Sequence, residues 1–195
     1  QNFHYVYNKY KAQINNYDRF FILDDDIVFN TNDINDMFNI SKKYDLWICG
    51  PTFIDDGRSK ISHNITKQIK GNLLRYVNFI EVNVPLFSKF ALHKFMKYYD
   101  PILIGWGIDY LYIWACGLEY TDKYALVDKI GCINPKDNKK GNRELNKIKD
   151  VHKRVQVWNS FKQKYNIKEW NHTTYKIFVV YNNSYSNNYL HITKK

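Results

Sequence analysis

The chain has 195 residues, of which 45% are hydrophobic and 17% aromatic, so it is not a disordered chain and can bury the core of one compact domain. Its formal net charge of +10 favours polyanions, anionic membrane surfaces or small anions such as nucleotide diphosphates, without choosing among them. We expect no transmembrane segment and no signal peptide, because no apolar run has the length needed to span a bilayer.

Hydrophobic periodicity and chain breakers predict alternating helices and strands. In chain order, the predicted elements are a helix at 4–15, a strand at 19–23, a helix capped at 30–32, a strand at 46–49, a polar surface excursion at 58–76, a strand at 79–87, a helix at 88–99, a buried helix at 108–116, a strand at 124–128, an amphipathic helix at 143–165 and a strand at 177–181. Gly50 and Pro51 are expected to end the second strand. Residues 182–195 predict a weakly ordered tail.

The first candidate site is the acidic triplet Asp24, Asp25 and Asp26, which follows the apolar run at 19–23. A buried parallel strand has this pattern, and ligands of open α/β sheets bind at the carboxyl ends of strands. Adjacent carboxylates repel one another, and a hard divalent cation such as Mg²⁺ or Mn²⁺ removes that repulsion. The alternatives are an exposed acidic turn or the start of a helix, with Asp26 near the positive helix end.

The second candidate site is the sequence Gly-Trp-Gly-Ile-Asp at 105–109. Two glycines around Trp106 allow a bend that presents the indole on the surface, where an aromatic face can stack on a sugar ring. Asp109 would begin the following helix and could act as a general base toward a hydroxyl group. The alternative is that Trp106 belongs to the core and Asp109 is an ordinary helix-terminal acid.

Taken together, these segments resemble the GT-A glycosyltransferases. FFILDDDIVF resembles their Asp-x-Asp strand. FIEVNVPLFSKFALHKF, ILIGWGIDYLY and ALVDKIGCINP are similar, in that order, to a small glycosyltransferase-like family long described only as a domain of unknown function. Large DNA viruses encode small GT-A enzymes of this general type, and GWGID is similar to the Gly-Trp-Gly-acidic segment of the β-galactosyltransferases. The resemblance covers residues 17–137.

The resemblance implies an α/β fold of GT-A type, with a mixed, mainly parallel sheet flanked by helices. It implies a single catalytic domain over 1–181. Only 23 residues precede the triplet, so the N-terminal nucleotide-binding part is expected to be truncated. The implied activity is metal-dependent and inverting. It transfers a sugar from a nucleoside-diphosphate sugar, a UDP-sugar above all, to an acceptor hydroxyl, preferably of a glycan.

The resemblance also assigns roles to individual residues. Asp24 and Asp26 would hold Mn²⁺ or Mg²⁺, with Asp24 also contacting the ribose and Asp25 assisting in nucleotide-sugar binding. Asp109 would be the catalytic base, Trp106 would position the acceptor, and Glu81 would reach the sugar pocket. Where related sequences carry a metal-binding His, this chain has Asn134, whose carbonyl is a weaker ligand.

His63 lies in a basic stretch, where it could contact the diphosphate or be an ordinary surface histidine. The odd number of cysteines, Cys49, Cys116 and Cys132, favours a reducing compartment, so a cytoplasmic location is expected, in the host if the chain is viral. Two other functions stay open. One is a metal-dependent phosphodiesterase or nuclease, although no clear nucleic-acid signal is present. The other is a non-catalytic carbohydrate- or nucleic-acid-binding domain.

Overall fold

The computed structural model describes residues 2–136, 147–180 and 191–192. Their helices are α1 (Asn2–Lys9), α2 (Lys11–Ile14), α3 (Thr31–Lys43), α4 (Lys89–Met96), α5 (Ile108–Cys116) and α6 (Arg154–Tyr165), with short 3-10 turns at Asn64–Thr66 and Val151–Lys153. Their strands are β1 (Arg19–Phe21), β2 (Ile48–Phe53), β3 (Asn72–Val77), β4 (Leu86–Ser88), β5 (Tyr124–Cys132), β6 (Thr174–Val179) and β7 (His191–Ile192).

These strands form one mixed sheet in the order β1-β4-β2-β5-β3-β6-β7. Among the described strands, β2 and β5 pair in parallel and the other neighbouring pairs are antiparallel. The α/β class and the flanking helices are therefore confirmed, whereas the expectation of a mainly parallel sheet is wrong. The reason is that β4 lies between β1 and β2, and β3 lies between β5 and β6, each running opposite to both neighbours.

The core has one layer on each face of the sheet. On one face, Met37 and Ile40 of α3 pack against strand residues such as Ala125 and Val127. On the other face, α4, α5 and α6 pack against strand residues such as Tyr124 and Leu126. Successive residues of β5 thus face opposite layers, as the two-residue period of a strand requires. A strand buried on both faces is apolar throughout this stretch.

Local signals located several elements correctly. The Asn30 side chain accepts a hydrogen bond from the backbone N–H of Asn32 at 2.9 Å and caps α3. Ser88 caps α4 by accepting from the N–H of Ala91 at 3.2 Å. The buried helix α5 begins and ends as predicted, with Gly117 after its last residue. The three cysteines are free and buried, as small hydrophobic residues are.

Other elements differ from the sequence prediction. β1 is a short, half-buried edge strand that pairs antiparallel with β4, not a buried parallel strand. β2 continues through Gly50 and Pro51 to Phe53, because its register with β5 shifts just after Pro51, and a proline is tolerated beside such an irregularity. Of the predicted strand at 79–87, only residues 86 and 87 are in a strand, which is β4 (Leu86–Ser88).

Two further predicted segments change. The surface excursion ends early, since Asn72–Val77 is the buried strand β3. Of the predicted helix at 143–165, the described helix is Arg154–Tyr165, preceded by a turn and by Asp150 in a left-handed conformation (φ 60°). Residues 143–146, with Leu145 of its predicted apolar stripe, lie outside the described residues.

The last predicted elements are described only in part. The final predicted strand appears as Thr174–Val179, and the end of that prediction, Tyr181, is outside the described residues. So is the predicted weakly ordered tail, apart from His191–Ile192, which pairs with β6. Within the part of the chain that the structure describes, no helix has the length and apolar character needed to cross a membrane.

Candidate functional site

The acidic triplet lies at the edge of the sheet where β1, β2 and β5 all end. The N–H of Asp24 donates to the carbonyl of Asn83 at 3.0 Å, just before β4. Further along, Val28 forms an antiparallel bridge with Ile133, just after β5. Asp24, Asp25 and Asp26 are exposed in the turn between these two anchors. The triplet thus follows the carboxyl end of β1, but it has the form of the alternative, an exposed acidic turn, and the strand before it is short and lies at the side of the sheet.

Two other predicted acids are buried beside this edge. Asp109, in the first turn of α5, is 8% exposed, and Glu81, before β4, is 7% exposed. Burial, followed by the neighbouring Asp109 charge, raises the pKa of Glu81 to about 7; the charge of Asp24 adds to this rise, while Lys60 opposes it. Burial likewise raises the pKa of Asp109 to about 7, against a hydrogen bond from the N–H of Tyr110. Asp24 and Asp109, both far from Glu81 in sequence, thus act electrostatically on Glu81.

Two buried acceptor atoms at this edge lack a hydrogen-bond donor among the described residues. They are Oε2 of Glu81 and Oδ1 of Asn83, whose residue is 9% exposed. Buried polar atoms in folded proteins nearly always have a partner, and leaving one without a partner costs about 1–3 kcal/mol. Such atoms therefore mark a position where a ligand or ordered water can supply the donor.

Of the two positions considered for Trp106, on the surface or in the core, the structure shows the surface position. Gly105 and Gly107 have φ angles of +65° and +79°, which side chains rarely adopt. A Cβ atom on Gly107 would stand 2.2 Å from the Trp158 ring, so close packing also requires glycine there. Trp106 is 46% exposed, and the guanidinium carbon of Arg154 lies 5.3 Å from its ring centroid. Asp109, by contrast, is buried and so is not an ordinary surface acid.

His63 is half-buried rather than free on the surface. Its ring lies 4.6 Å from the Phe79 ring and 5.2 Å from the His172 ring, measured between centroids. Burial lowers its pKa, so the neutral ring dominates at neutral pH. The neighbouring His172 is held in place by Tyr110, whose hydroxyl lies 2.9 Å from Nε2 of His172. His63 is therefore better suited to hydrogen bonding than to balancing a diphosphate charge.

Asn134 lies just after β5, next to the segment that carries Lys60. The N–H of Lys60 donates to the carbonyl of Asn134 at 2.7 Å, and Nδ2 of Asn134 donates to the carbonyl of Lys60 at 3.1 Å. The second bond uses the amide nitrogen, so Oδ1 is the side-chain atom that could bind a cation. The polar residues at 58–60 thus lie next to Asn134.

The donor set suits a hard cation that is shared with a ligand. Within the described ranges, no group of three or more His, Cys, Asp or Glu side chains is arranged to hold a metal ion. The side-chain atoms that Asp24, Asp26 and Asn134 offer to a cation are oxygens only, and in Asn134 this atom is Oδ1. Mg²⁺ and Mn²⁺ accept such ligands and usually complete their shell with water and substrate phosphate. These residues fit a cation that arrives with a diphosphate, and do not fit a metal enclosed by protein ligands.

Other candidate acids have structural roles. Asp128 accepts from Nε of Arg75 at 2.7 Å and from a second guanidinium nitrogen at 3.0 Å, and both side chains are buried. Asp55 and Asp56 form exposed ion pairs with Lys67 and Arg58, as an Asp-Asp-Gly turn would allow. None of these acids belongs to the group formed by Asp24, Glu81 and Asp109.

Sequence reasoning missed Asn83 and His172. Asn83 falls inside a segment predicted to be a strand, and its side chain carries no motif of its own. His172 is distant in sequence from every predicted site residue and joins His63 and Tyr110 only through folding. A signal for either residue would have needed knowledge of which segments become neighbours.

Comparisons with known proteins assign this chain to no family. No protein-family model matches the chain, and no curated protein or solved structure matches it. The chemistry of the site rests on Asp24, Glu81 and Asp109 and on the exposed Trp106, which lies three residues before Asp109.

Proposed function

We propose that the chain is a metal-dependent glycosyltransferase that moves a sugar from a nucleoside-diphosphate sugar, preferably a UDP-sugar, to an acceptor hydroxyl, preferably of a glycan. One observation carries the proposal. Near the ends of β1, β2 and β5, the buried Glu81 lies within electrostatic reach of the exposed Asp24 and the buried Asp109, which come from two other segments. This arrangement supports a site with an open, cation-binding entrance and a protected proton acceptor.

The entrance is suited to the diphosphate. Asp24 and Asp26 would hold Mn²⁺ or Mg²⁺ together with the carbonyl of Asn134, while Asp25 would assist from the same turn. When bound, the ion would neutralise the diphosphate and the charge that develops on it as the sugar leaves. Lys60 adds a positive charge close enough to influence Glu81. His63, largely neutral, would contribute a hydrogen bond to the nucleotide sugar.

Asp109 is suited to take the proton from the acceptor hydroxyl. A general base works best with a pKa near the working pH, and burial brings the pKa of Asp109 to about 7. Removing that proton as the hydroxyl oxygen attacks would favour direct displacement with inversion at the sugar carbon. Trp106, exposed two residues before α5, offers an aromatic surface on which the acceptor sugar would stack.

The experiment that tests this function is a calorimetric titration of UDP and GDP, with and without Mn²⁺. It uses the wild-type chain, Asp26→Ala and a control, Asp18→Ala, which removes an acid whose side chain is 96% exposed away from the triplet. We expect one nucleotide to bind only with Mn²⁺, to lose binding in Asp26→Ala and to keep it in Asp18→Ala. Binding that ignores both the metal and Asp26, or no binding at all, would overturn the proposal.

A second measurement separates an enzyme from a binding domain. Release of free nucleotide from UDP-sugars is followed in the presence of Mn²⁺ and simple glycosides as acceptors. We expect release that depends on the acceptor and on Asp109. Metal-dependent binding without any such turnover would favour the non-catalytic alternative, and cleavage of phosphodiester bonds would favour the nuclease.

A further inference from the structure

The buried acceptor atoms behind the triplet carry information about the ligand. Oε2 of Glu81 and Oδ1 of Asn83 both lack a donor among the described residues, although each residue is at least nine-tenths buried. An amide oxygen and a carboxylate oxygen can only accept hydrogen bonds. A ligand group that reaches either atom must therefore bring a donor, such as a hydroxyl group.

The charge around these atoms narrows the ligand further. The Glu81 carboxyl feels the negative charges of Asp109 and Asp24, while Lys60 is the opposing charge that acts on it. Lys60 is exposed, so water screens it more than the buried acids. At pH 8 Glu81 and Asp109 are mostly ionised, since the pKa of each is about 7. A negatively charged ligand group beside them is then strongly repelled, because the region is buried and has a low dielectric constant.

We propose that Glu81 and Asn83 form a subsite for hydroxyl groups of a neutral sugar, and that the negative charge of Glu81 and Asp109 excludes a sugar that carries a carboxylate. The inference rests on the proposed function, because it assigns the sugar part of the nucleoside-diphosphate sugar to this subsite. Asp24 joins the two parts of the site. Its N–H donates to the carbonyl of Asn83, so the turn that would hold the diphosphate is fastened to the residue that would hold the sugar.

The proposed subsite should discriminate between two sugar nucleotides of almost equal shape. UDP-glucose and UDP-glucuronate differ only at carbon 6, where a hydroxymethyl group replaces a carboxylate. If the subsite excludes negative charge, UDP-glucuronate should bind at least about tenfold more weakly than UDP-glucose, since two like charges a few ångströms apart repel by more than this factor. UDP-glucose should in turn bind more tightly than UDP, because its hydroxyls give the buried acceptors their donors.

Calorimetric titration with Mn²⁺ at pH 8, where Glu81 and Asp109 are mostly ionised, tests this with four probes: UDP, UDP-glucose, UDP-galactose and UDP-glucuronate. Should GDP be the nucleotide that binds, GDP, GDP-mannose and GDP-mannuronate replace them. The variants are Glu81→Gln, which keeps the side-chain shape and removes the charge, Asn83→Ala, and the exposed control Asp18→Asn. Binding of UDP alone, which does not use the subsite, shows that each variant is folded.

We expect Glu81→Gln to reduce the preference for the neutral over the acidic donor at least about threefold, because the residue that repels the carboxylate becomes neutral. Asn83→Ala should reduce the gain of a neutral sugar over UDP by about three- to tenfold, the effect of one hydrogen bond. Asp18→Asn should change neither ratio.

The possible outcomes distinguish failure of the sugar subsite from failure of the glycosyltransferase function on which it rests. If UDP binds through Mn²⁺ and Asp26 but wild-type protein binds UDP-glucuronate as tightly as UDP-glucose, the subsite is wrong and the transferase proposal stands. The same holds if neither UDP-glucose nor UDP-galactose binds better than UDP. If neither UDP nor GDP binds at all, both proposals fall together.

Discussion

Two regions of this molecule bury acidic side chains in opposite ways. Around Asp128, every negative oxygen faces donors. Arg75 makes two hydrogen bonds to it, the N–H of Ile69 donates at 3.1 Å and Nδ2 of Asn72 donates at 3.3 Å. Arg75 also donates to the carbonyls of Ile65 and Lys67. This region fastens the loop before β3 to the centre of the sheet.

Around Glu81, the surroundings are reversed. The largest charged influence on it is another acid, Asp109; Lys60 opposes that influence and Asp24 adds to it, and one oxygen of Glu81 has no donor among the described residues. Such an arrangement destabilises the fold when the acids are ionised. A buried acid with a matched base contributes to structure, whereas buried acids that repel one another are more often kept for binding or chemistry. This difference between the Asp128 region and the Glu81 region should appear in the free energy of unfolding and, for the second region, also in activity.

The largest change is expected from Arg75→Met. It leaves Asp128 charged, buried and without its cation, which lowers the free energy of unfolding by about 3–5 kcal/mol. Urea unfolding followed by circular dichroism measures the loss. The matched control is Lys129→Met, which breaks the exposed pair with Asp36 and should cost less than about 1 kcal/mol. Equal losses in the two variants would mean that the buried pair is not a structural anchor.

The next effect is a dependence of stability on pH. The pKa values of Glu81 and Asp109 rise from about 4 when unfolded to about 7 when folded. Between these values the folded chain binds more protons, so the free energy of unfolding should fall as the pH rises from about 4 to about 7, by an amount on the order of 3 kcal/mol for each acid.

Histidines act in the opposite direction over part of this range. Burial lowers the pKa of His63 and of His172, so their contribution to stability grows as the pH rises. The measurement is therefore the difference between wild-type and Asp109→Asn unfolding free energies at a series of pH values, because the histidine contribution cancels. A difference that stays constant from pH 4 to pH 8 would contradict the raised pKa.

Asp109→Asn itself should separate stability from activity. At pH 8 it removes a buried charge and gives Glu81 a neutral neighbour, so we expect it to stabilise the protein by about 1–3 kcal/mol. Sugar transfer should fall by about 10²–10⁴-fold, because the base is lost. Urea unfolding and nucleotide release measure the two effects. A stabilised variant that keeps full activity would remove Asp109 from the catalytic role.

The smallest change in stability is expected from Trp106→Ala. The indole is 46% exposed and lies outside the core, so unfolding should change by less than about 1 kcal/mol. The KM for the acceptor should rise severalfold while UDP binding stays the same. Tyr17→Ala, which removes another exposed ring, is the matched control. An unchanged KM for the acceptor would show that Trp106 does not position it.

The sequence by itself located the short-range features. Side-chain caps at Asn30 and Ser88 and the glycines on either side of α5 act within a few residues, so their effect does not depend on the rest of the chain. The triplet after the first apolar run, and the acid that begins α5, were identifiable for the same reason. So was the α/β class, since it follows from the alternation of strand and helix patterns.

The tertiary structure decided everything that depends on which distant segments become neighbours. Strand direction is one example, because an apolar strand has the same pattern whether its neighbour is parallel or antiparallel. The identity of β3 is another, since Arg75 looks like a surface residue until Asp128 lies beside it. Glu81 shows the same point for function. Its pKa depends on burial and on two acids more than 25 residues away along the printed chain, and only folding brings these charges together.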